Sequence, residues 1–264
     1  MTNWLSVRLG DAPLIVSIPH AGTMIPCDVT GLLSHELARH DADHHVDRLY
    51  AFATELGATI LQSRISRTVI DLNRDPSGQS LYPGQVTTGL CPEMTFDGEP
   101  LYKARSKPEL AEIDRRRAVY FDPYHAALNV QIDRLRAVHP AVVLYDAHSI
   151  RSKVPRLFDG ELPQFNIGSF NGASCDIALP DAMAAHCAGD THVINGRFKG
   201  GWITRHYGQP KRGIHAVQME LAMRGYVDED GPWPPAWDAP RAAPMQAKLH
   251  AILTACLAFA KDQQ

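Results

Sequence analysis

Two apolar runs in this chain each stop on a histidine, and they restrict the fold more than any other feature. Pro13-Leu-Ile-Val-Ser-Ile-Pro-His20-Ala-Gly and Ala141-Val-Val-Leu-Tyr-Asp146-Ala-His148-Ser both read as buried strands that carry a histidine to the carboxyl end. Hydrophobic runs of this kind, bounded by Pro and Gly, suit the interior of an α/β sheet covered on both faces. Such sheets bind ligands in the crevice beyond the carboxyl ends of their strands, so two histidines delivered to one edge point to a metal site. A third run, Ile214-His-Ala-Val-Gln-Met-Glu220-Leu, ends in a carboxylate; as a strand it puts Ile214, Ala216, Gln218 and Glu220 on one face. A carboxylate ending an apolar strand is costly unless it has a partner or a chemical task.

An acid to join the histidines lies in Asp41-Ala-Asp43-His-His-Val-Asp47. Val46, Leu49, Phe52, Ala53 and Leu56 follow at helical spacing and Gly57 is a natural stop, which predicts a helix beginning near Asp43. Asp41 or Asp43 can cap that helix, and Asp43 can cap while still aiming a free oxygen at the crevice. Ala58–Gln62 and the β-branched run Ser66–Pro76, with Asn73-Arg74 toward its end, predict a strand pair. Arg74 follows the buried-looking part of the second at the ligand edge, where a guanidinium fork matches a carboxylate. Residues 75–106, which include Tyr82-Pro-Gly, predict a long ordered loop over the site. From Lys107 to Val138 the pattern is helical, with an interruption near Asp122-Pro123; Tyr124, Leu128, Ile132 and Leu135 form one stripe and His125 flanks it. Short strands at Phe165–Gly168 and His192–Ile194 surround a predicted helix at Asp181–Cys187. A closing helix spans Pro244–Ala260, with Met245, Leu249, Ile252, Leu253 and Cys256 inward.

At 264 residues the chain is long enough for one sizeable core, and its 45% hydrophobic and 21% charged residues are those of a globular protein. A net charge of −3 gives no general attraction to nucleic acid, so an anionic ligand has to be met by local arginines. The five cysteines are widely spaced with no CxxC pair, which argues against a disulfide framework and for a reducing cytoplasm. No segment approaches the ~18 apolar residues of a membrane span, and the amino-terminal sequence lacks a secretory signal pattern. The absence of GxGxxG and P-loop motifs argues against a nucleotide enzyme.

Five motifs in order carry a resemblance. They are Ser17-Ile-Pro-His20-Ala-Gly; Asp43 with His45 and Asp47; Ser66-Arg67-Thr-Val-Ile-Asp71-Leu-Asn73-Arg74; Asp146-Ala-His148-Ser; and Gly201-Trp-Ile-Thr-Arg205-His206-Tyr-Gly-x-Pro with Gln218-Met-Glu220-Leu. From about Pro13 to Asp228 the chain resembles the N-formylglutamate amidohydrolases, also called N-formylglutamate deformylases, of bacterial histidine degradation. That family is distantly similar to zinc carboxypeptidases and aspartoacylase. The resemblance therefore implies an α/β, zinc-carboxypeptidase-like (phosphorylase/hydrolase-like) fold, with a mixed sheet, helices on both faces and one catalytic domain over residues 1–264. It also implies one divalent metal, zinc, on His20, His148 and an acid. Those relatives use HxxE, but Thr23 stands where the glutamate would be, so the acid is Asp43, with Asp47 the alternative.

By the same resemblance, Asn73-Arg74 grips a substrate carboxylate and Glu220 is the catalytic base. Arg67, Arg205 and His206 are further substrate-binding residues, with no assignment of which arginine reads which carboxylate. His125 or an arginine would steady the oxyanion, and Asp146 or Asp71 would orient His148. The implied reaction converts N-formyl-L-glutamate to formate and L-glutamate. Its alternatives are a related amidohydrolase of another N-acyl amino acid or short peptide, and a noncatalytic binder of acidic amino acids.

Overall fold

The apolar runs become the middle of a seven-stranded mixed sheet. A computed structural model describes residues 4–81 and 84–263; Met1–Asn3, Tyr82 and Pro83 of the expected long loop, and Gln264 lie outside them. The strands are β1 (Leu5–Arg8), β2 (Leu14–Ile18), β3 (Thr59–Ser63), β4 (Val142–Ile150), β5 (Phe165–Gly168), β6 (His192–Ile194) and β7 (Ile214–Ala222). Their order across the sheet is β1-β3-β2-β4-β7-β5-β6. β2, β3, β4 and β7 run parallel, while β1 and the β5–β6 pair run against them.

Helices cover both faces. α1 (Val46–Leu49), α4 (Ala178–Ala185) and α6 (Ala239–Asp262) pack on the face that carries Val143, Tyr145, Val217 and Met219. α2 (Leu110–Arg116), α3 (Asp122–Arg136) and α5 (Trp202–Tyr207) lie on the face that carries Ile15, Val142, Leu144 and Ala216. Each Val, Ile, Leu or Met side chain among these taken fully out of water contributes ~1.5–3 kcal/mol. On the second face the strands change character toward their carboxyl ends: Ile15 is followed by Ser17, Leu144 by Asp146 and His148, and Ala216 by Gln218 and Glu220. The register sets Ser17 beside Asp146, Asp146 beside Gln218, and His148 beside Glu220. Period-two alternation on three adjacent strands thus builds a single polar layer at one end of an otherwise apolar sheet.

Two predicted elements take other forms. The helix expected from Asp43 to Gly57 is one α-turn, α1, followed by a 3₁₀ turn over Ala51–Thr54. His45, at the N-cap, is held in the left-handed region at φ 63° and makes no side-chain cap. Neither expected cap forms, because Asp43 turns to the polar layer and Asp41 accepts the Phe96 N–H at 2.6 Å. The strand expected over Ser66–Pro76 is a turn segment, buried from Ser66 to Asn73. Ser66 Oγ donates to the Ala38 carbonyl and accepts the Thr68 N–H, while Asp71 accepts the Asn73 N–H. Val69, Ile70 and Leu72 are buried there, so their β-branched and apolar character reflects packing with no ladder.

The interruption near Pro123 is a π-helical turn, Arg117–Phe121, between α2 and α3. α6 begins five residues before Pro244, capped by Asp238, which accepts the Arg241 N–H at 3.0 Å. All five side chains expected to face inward from α6 are buried. Among the described residues no helix is long and apolar enough to cross a membrane.

Candidate active site

His20, Asp43 and His148 converge from three elements: the residue after Pro19 at the end of β2, the turn before α1, and the last residues of β4. Each can bring one ligand atom within 4.8 Å of the other two, and all three are buried. His148 Nδ1 lies 3.1 Å from Asp43 Oδ2, and His20 Nδ1 lies 3.9 Å from the same oxygen. Each imidazole is fixed from behind by its own carboxylate. His20 Nε2 meets Asp71 Oδ1 at 2.8 Å, and His148 Nε2 meets Asp146 Oδ2 at 2.8 Å. A carboxylate behind a histidine sets its tautomer and ring orientation, an arrangement that recurs around metal ligands. Of the two acids able to orient His148, Asp146 stands behind it and Asp71 stands behind His20.

Protonation decides whether these residues fit a cation. Burial and the charge of Arg67 hold His20 below the usual histidine range. A neutral His20 that gives its Nε2–H to Asp71 is left with a bare lone pair on Nδ1, and that buried atom has no hydrogen-bond partner. Burial works against a charge on His148, but Asp146 and Asp43 on either side raise its pKa well above the ordinary value. The Nδ1 proton between His148 and Asp43 therefore occupies a place where a divalent ion would serve both residues. Burial pushes Asp43 up, yet the His148 hydrogen bond and the charges of His20 and Arg67 bring it below the usual carboxylate range, which leaves it an anionic donor. With bonds of ~2.0–2.2 Å, tetrahedral zinc ligands stand ~3.3–3.5 Å apart, and the observed separations of 3.1 and 3.9 Å lie on either side of that span. The donor set fits a three-ligand catalytic metal centre with an open position.

A cleft of ≈ 570 Å³, open mouth included, rises from this cluster. Its walls include Glu220 and the side chains of Arg67, Arg74 and Arg197. Glu220 faces His148 across the β4–β7 pair and is buried; its Oε2 accepts from Gln218 Nε2 at 3.2 Å. Burial raises its pKa to about 8, with His148 pulling the other way. Arg67 is a strut as well as a wall, bonding Asp43 Oδ1 at 3.2 Å and Asp71 Oδ2 at 2.8 Å. Arg74 is held by the carbonyl and hydroxyl of Thr88, both at 3.1 Å.

Asp71 ties the cluster to stability. Burial raises its pKa, but His20, Arg74 and Arg67 outweigh burial and hold it well below the usual value. A depressed carboxyl contributes stability that is complete above its unfolded pKa of about 3.9 and is lost as pH falls through the folded value. In metal-free protein, Asp71→Asn is expected to melt lower than wild type at neutral pH and to show a flatter decline below about pH 4. Melting temperature against pH checks this; parallel acid limbs in the two proteins would refute it.

The remaining sequence-predicted residues divide. Asn73 reaches the cleft wall, but its amide is engaged with Asp146 and the Ile203 N–H. Asp47 accepts from Gln62 Nε2 at 3.0 Å and lines a separate depression with Ser6 and Arg8. His125 does not line the cleft; its Nδ1 meets the Tyr207 hydroxyl and its Nε2 the Leu72 carbonyl, both at 2.9 Å. Arg205 donates to the Gly200 and Leu81 carbonyls and lies 4.5 Å over the Phe170 ring, while His206 is exposed and stacked 4.7 Å from Trp202. Neither joins the cleft wall.

Residues 12–227 match the family model described as N-formylglutamate amidohydrolase. The chain belongs to that family. It is 46% identical over 267 residues to the N-formylglutamate deformylases of Pseudomonas aeruginosa and Pseudomonas putida, covering 100% of this chain and 99% of each relative. The crystal structure of N-formylglutamate amidohydrolase from Ralstonia eutropha JMP134 superposes with a TM-score of 0.79 at 25% identity, covering 97% of this chain and 96% of that one. A gene product of Agrobacterium tumefaciens shares the fold, with a TM-score of 0.69 at 21% identity over 97% of this chain and 95% of that one.

In this N-formylglutamate amidohydrolase family member, the wall residues that escape sequence reasoning include Arg197 and Phe96. Arg197 follows the end of β6 by three residues, but it is hidden in the turn-rich Asn195-Gly-Arg-Phe-Lys-Gly-Gly. Phe96 comes from the long loop and stacks 4.8 Å from the Arg67 guanidinium, a contact that no local periodicity signals.

Proposed function

We propose that the chain hydrolyses N-formyl-L-glutamate to formate and L-glutamate, using zinc held by His20, Asp43 and His148. The observation that carries this reading is Glu220 set opposite His148 on the wall of a cleft whose other walls include three arginines. A divalent ion bound there supplies a Lewis acid that polarises a carbonyl and lowers the pKa of water to ~7. Glu220 takes the proton of the attacking water and returns it to the departing amine nitrogen. A carboxylate whose pKa is raised toward the working pH suits both halves of that transfer. Arg74 and Arg197 meet the two substrate carboxylates, and Arg67 adds positive charge where the formyl oxygen becomes negative. The resemblance carried by the five motifs supports placing this step in histidine degradation, and the cysteine spacing supports a reducing cytoplasm, with one catalytic domain over residues 1–264.

Substrate profiling tests the reaction. Zinc-loaded protein is expected to release formate from N-formyl-L-glutamate and to act far more slowly on N-acetyl-L-glutamate; chelation is expected to abolish the activity and zinc to restore it. Equal rates on the two substrates would favour a broader N-acyl amidohydrolase, and no hydrolysis by zinc-loaded protein would refute the reading.

A further inference from the structure

We infer that Asn73 is a positioning residue, whose amide sets His148 and Glu220 together, and that it does not grip the substrate. The inference rests on the metal site proposed above. Asn73 Nδ2 donates to Asp146 Oδ2 at 2.9 Å, the same oxygen that fixes His148 Nε2. Gln218 Oε1 lies 3.5 Å from that nitrogen, and Gln218 Nε2 carries the connection on to Glu220 Oε2 at 3.2 Å. Gln218 is itself held by the Gly201 N–H at 2.8 Å. Asn73 Oδ1 accepts the Ile203 N–H at 2.7 Å, in the first turn of α5. A primary amide has two N–H donors; around Asn73 Nδ2 stand Asp146 Oδ2 at 2.9 Å, His148 Nε2 at 3.0 Å and Gln218 Oε1 at 3.5 Å, and the residue is 3% exposed. No donor remains for a substrate carboxylate.

Gly201 closes over this amide. A Cβ at that position would stand 2.4 Å from Asn73 Nδ2, so only glycine lets α5 approach so closely. The two branches, Asp146 to His148 and Gln218 to Glu220, start from one side chain, and buried polar networks of this kind act as units.

The test compares Asn73→Ala with Arg74→Ala. Zinc affinity of the metal-free proteins is measured by competition with a chromogenic chelator, and kcat and KM for N-formyl-L-glutamate at saturating zinc. Loss of the group behind a metal-ligating histidine typically weakens metal binding ~10–100-fold. Asn73→Ala is expected to show that loss, with lowered kcat and near wild-type KM, whereas Arg74→Ala keeps its zinc affinity and raises KM. Gly201→Ala retains the amide but displaces it, and is expected to reproduce the Asn73→Ala pattern; it serves as the reading if Asn73→Ala does not fold. Wild-type zinc affinity with a raised KM in Asn73→Ala would overturn the inference. Zinc binding is read without substrate, so a wild-type protein that binds zinc and releases no formate would refute the proposed reaction and leave the affinity comparison decisive for Asn73.

Discussion

Glu220→Gln is expected to lower turnover by ~10²–10⁴-fold, toward the upper end of that range, while zinc content, substrate affinity and melting temperature stay near wild type. The amide keeps the shape of the side chain but cannot accept the proton of the attacking water, and in the proposed reaction one carboxylate serves both attack and departure. The structure offers little room for a merely structural role. Among the described residues, the one side-chain hydrogen bond to the Glu220 carboxylate comes from Gln218, a neutral donor, and no ion pair includes Glu220. A glutamate retained for stability would give the opposite pattern, a lowered melting point with near-normal kcat. Calorimetry, metal analysis and turnover of a single purified variant separate the two.

Substitution of any of the three proposed metal ligands is expected to have the other large effect. His20→Ala, Asp43→Ala and His148→Ala should each purify without stoichiometric zinc and without activity, because a three-residue site that loses one donor also loses the charge and geometry that held the others. Asp43 is the most informative of the three. Besides its donor oxygen it accepts from Arg67 and from the Ser149 N–H, so its removal leaves Arg67 with one carboxylate in place of two. Asp47→Ala is the matched control and should retain full zinc, since Asp47 bonds Gln62 away from the cluster. Retained zinc in Asp43→Ala with loss in Asp47→Ala would reverse the assignment of the acid.

The sheet centre was legible because buried strands write their pattern locally. The runs at β2, β4 and β7 are apolar until the last residues, and the polar tips Ser17, Asp146 with His148, and Gln218 with Glu220 fall on one face by period-two counting alone. Segments whose partners are distant in sequence were not legible in this way. Ser66–Asn73 has strand-like composition, yet its hydrogen bonds are scattered backbone bonds to Met24, Ser66 and Leu90 and bonds of the Ser66 and Asp71 side chains, and Val69 and Ile70 are buried by packing. His125 looks available on a helix flank, but the Tyr207 hydroxyl and the Leu72 carbonyl, 82 and 53 residues away, take both of its nitrogens. Asn73 and Arg74 are adjacent in sequence and read as a pair, but the turn that holds them sends one amide into the sheet and one guanidinium to the cleft wall.

The most direct measurement is an anomalous difference map at the zinc absorption edge, from crystals of protein purified without chelators and supplied with zinc. The expected map has one strong peak ~2.0–2.2 Å from each of His20 Nδ1, Asp43 and His148 Nδ1, with both Nε2 atoms still on Asp71 and Asp146. A map with no peak among these three residues, or with its peak ligated by Asp47 instead of Asp43, would contradict the metal centre on which the proposed hydrolysis depends.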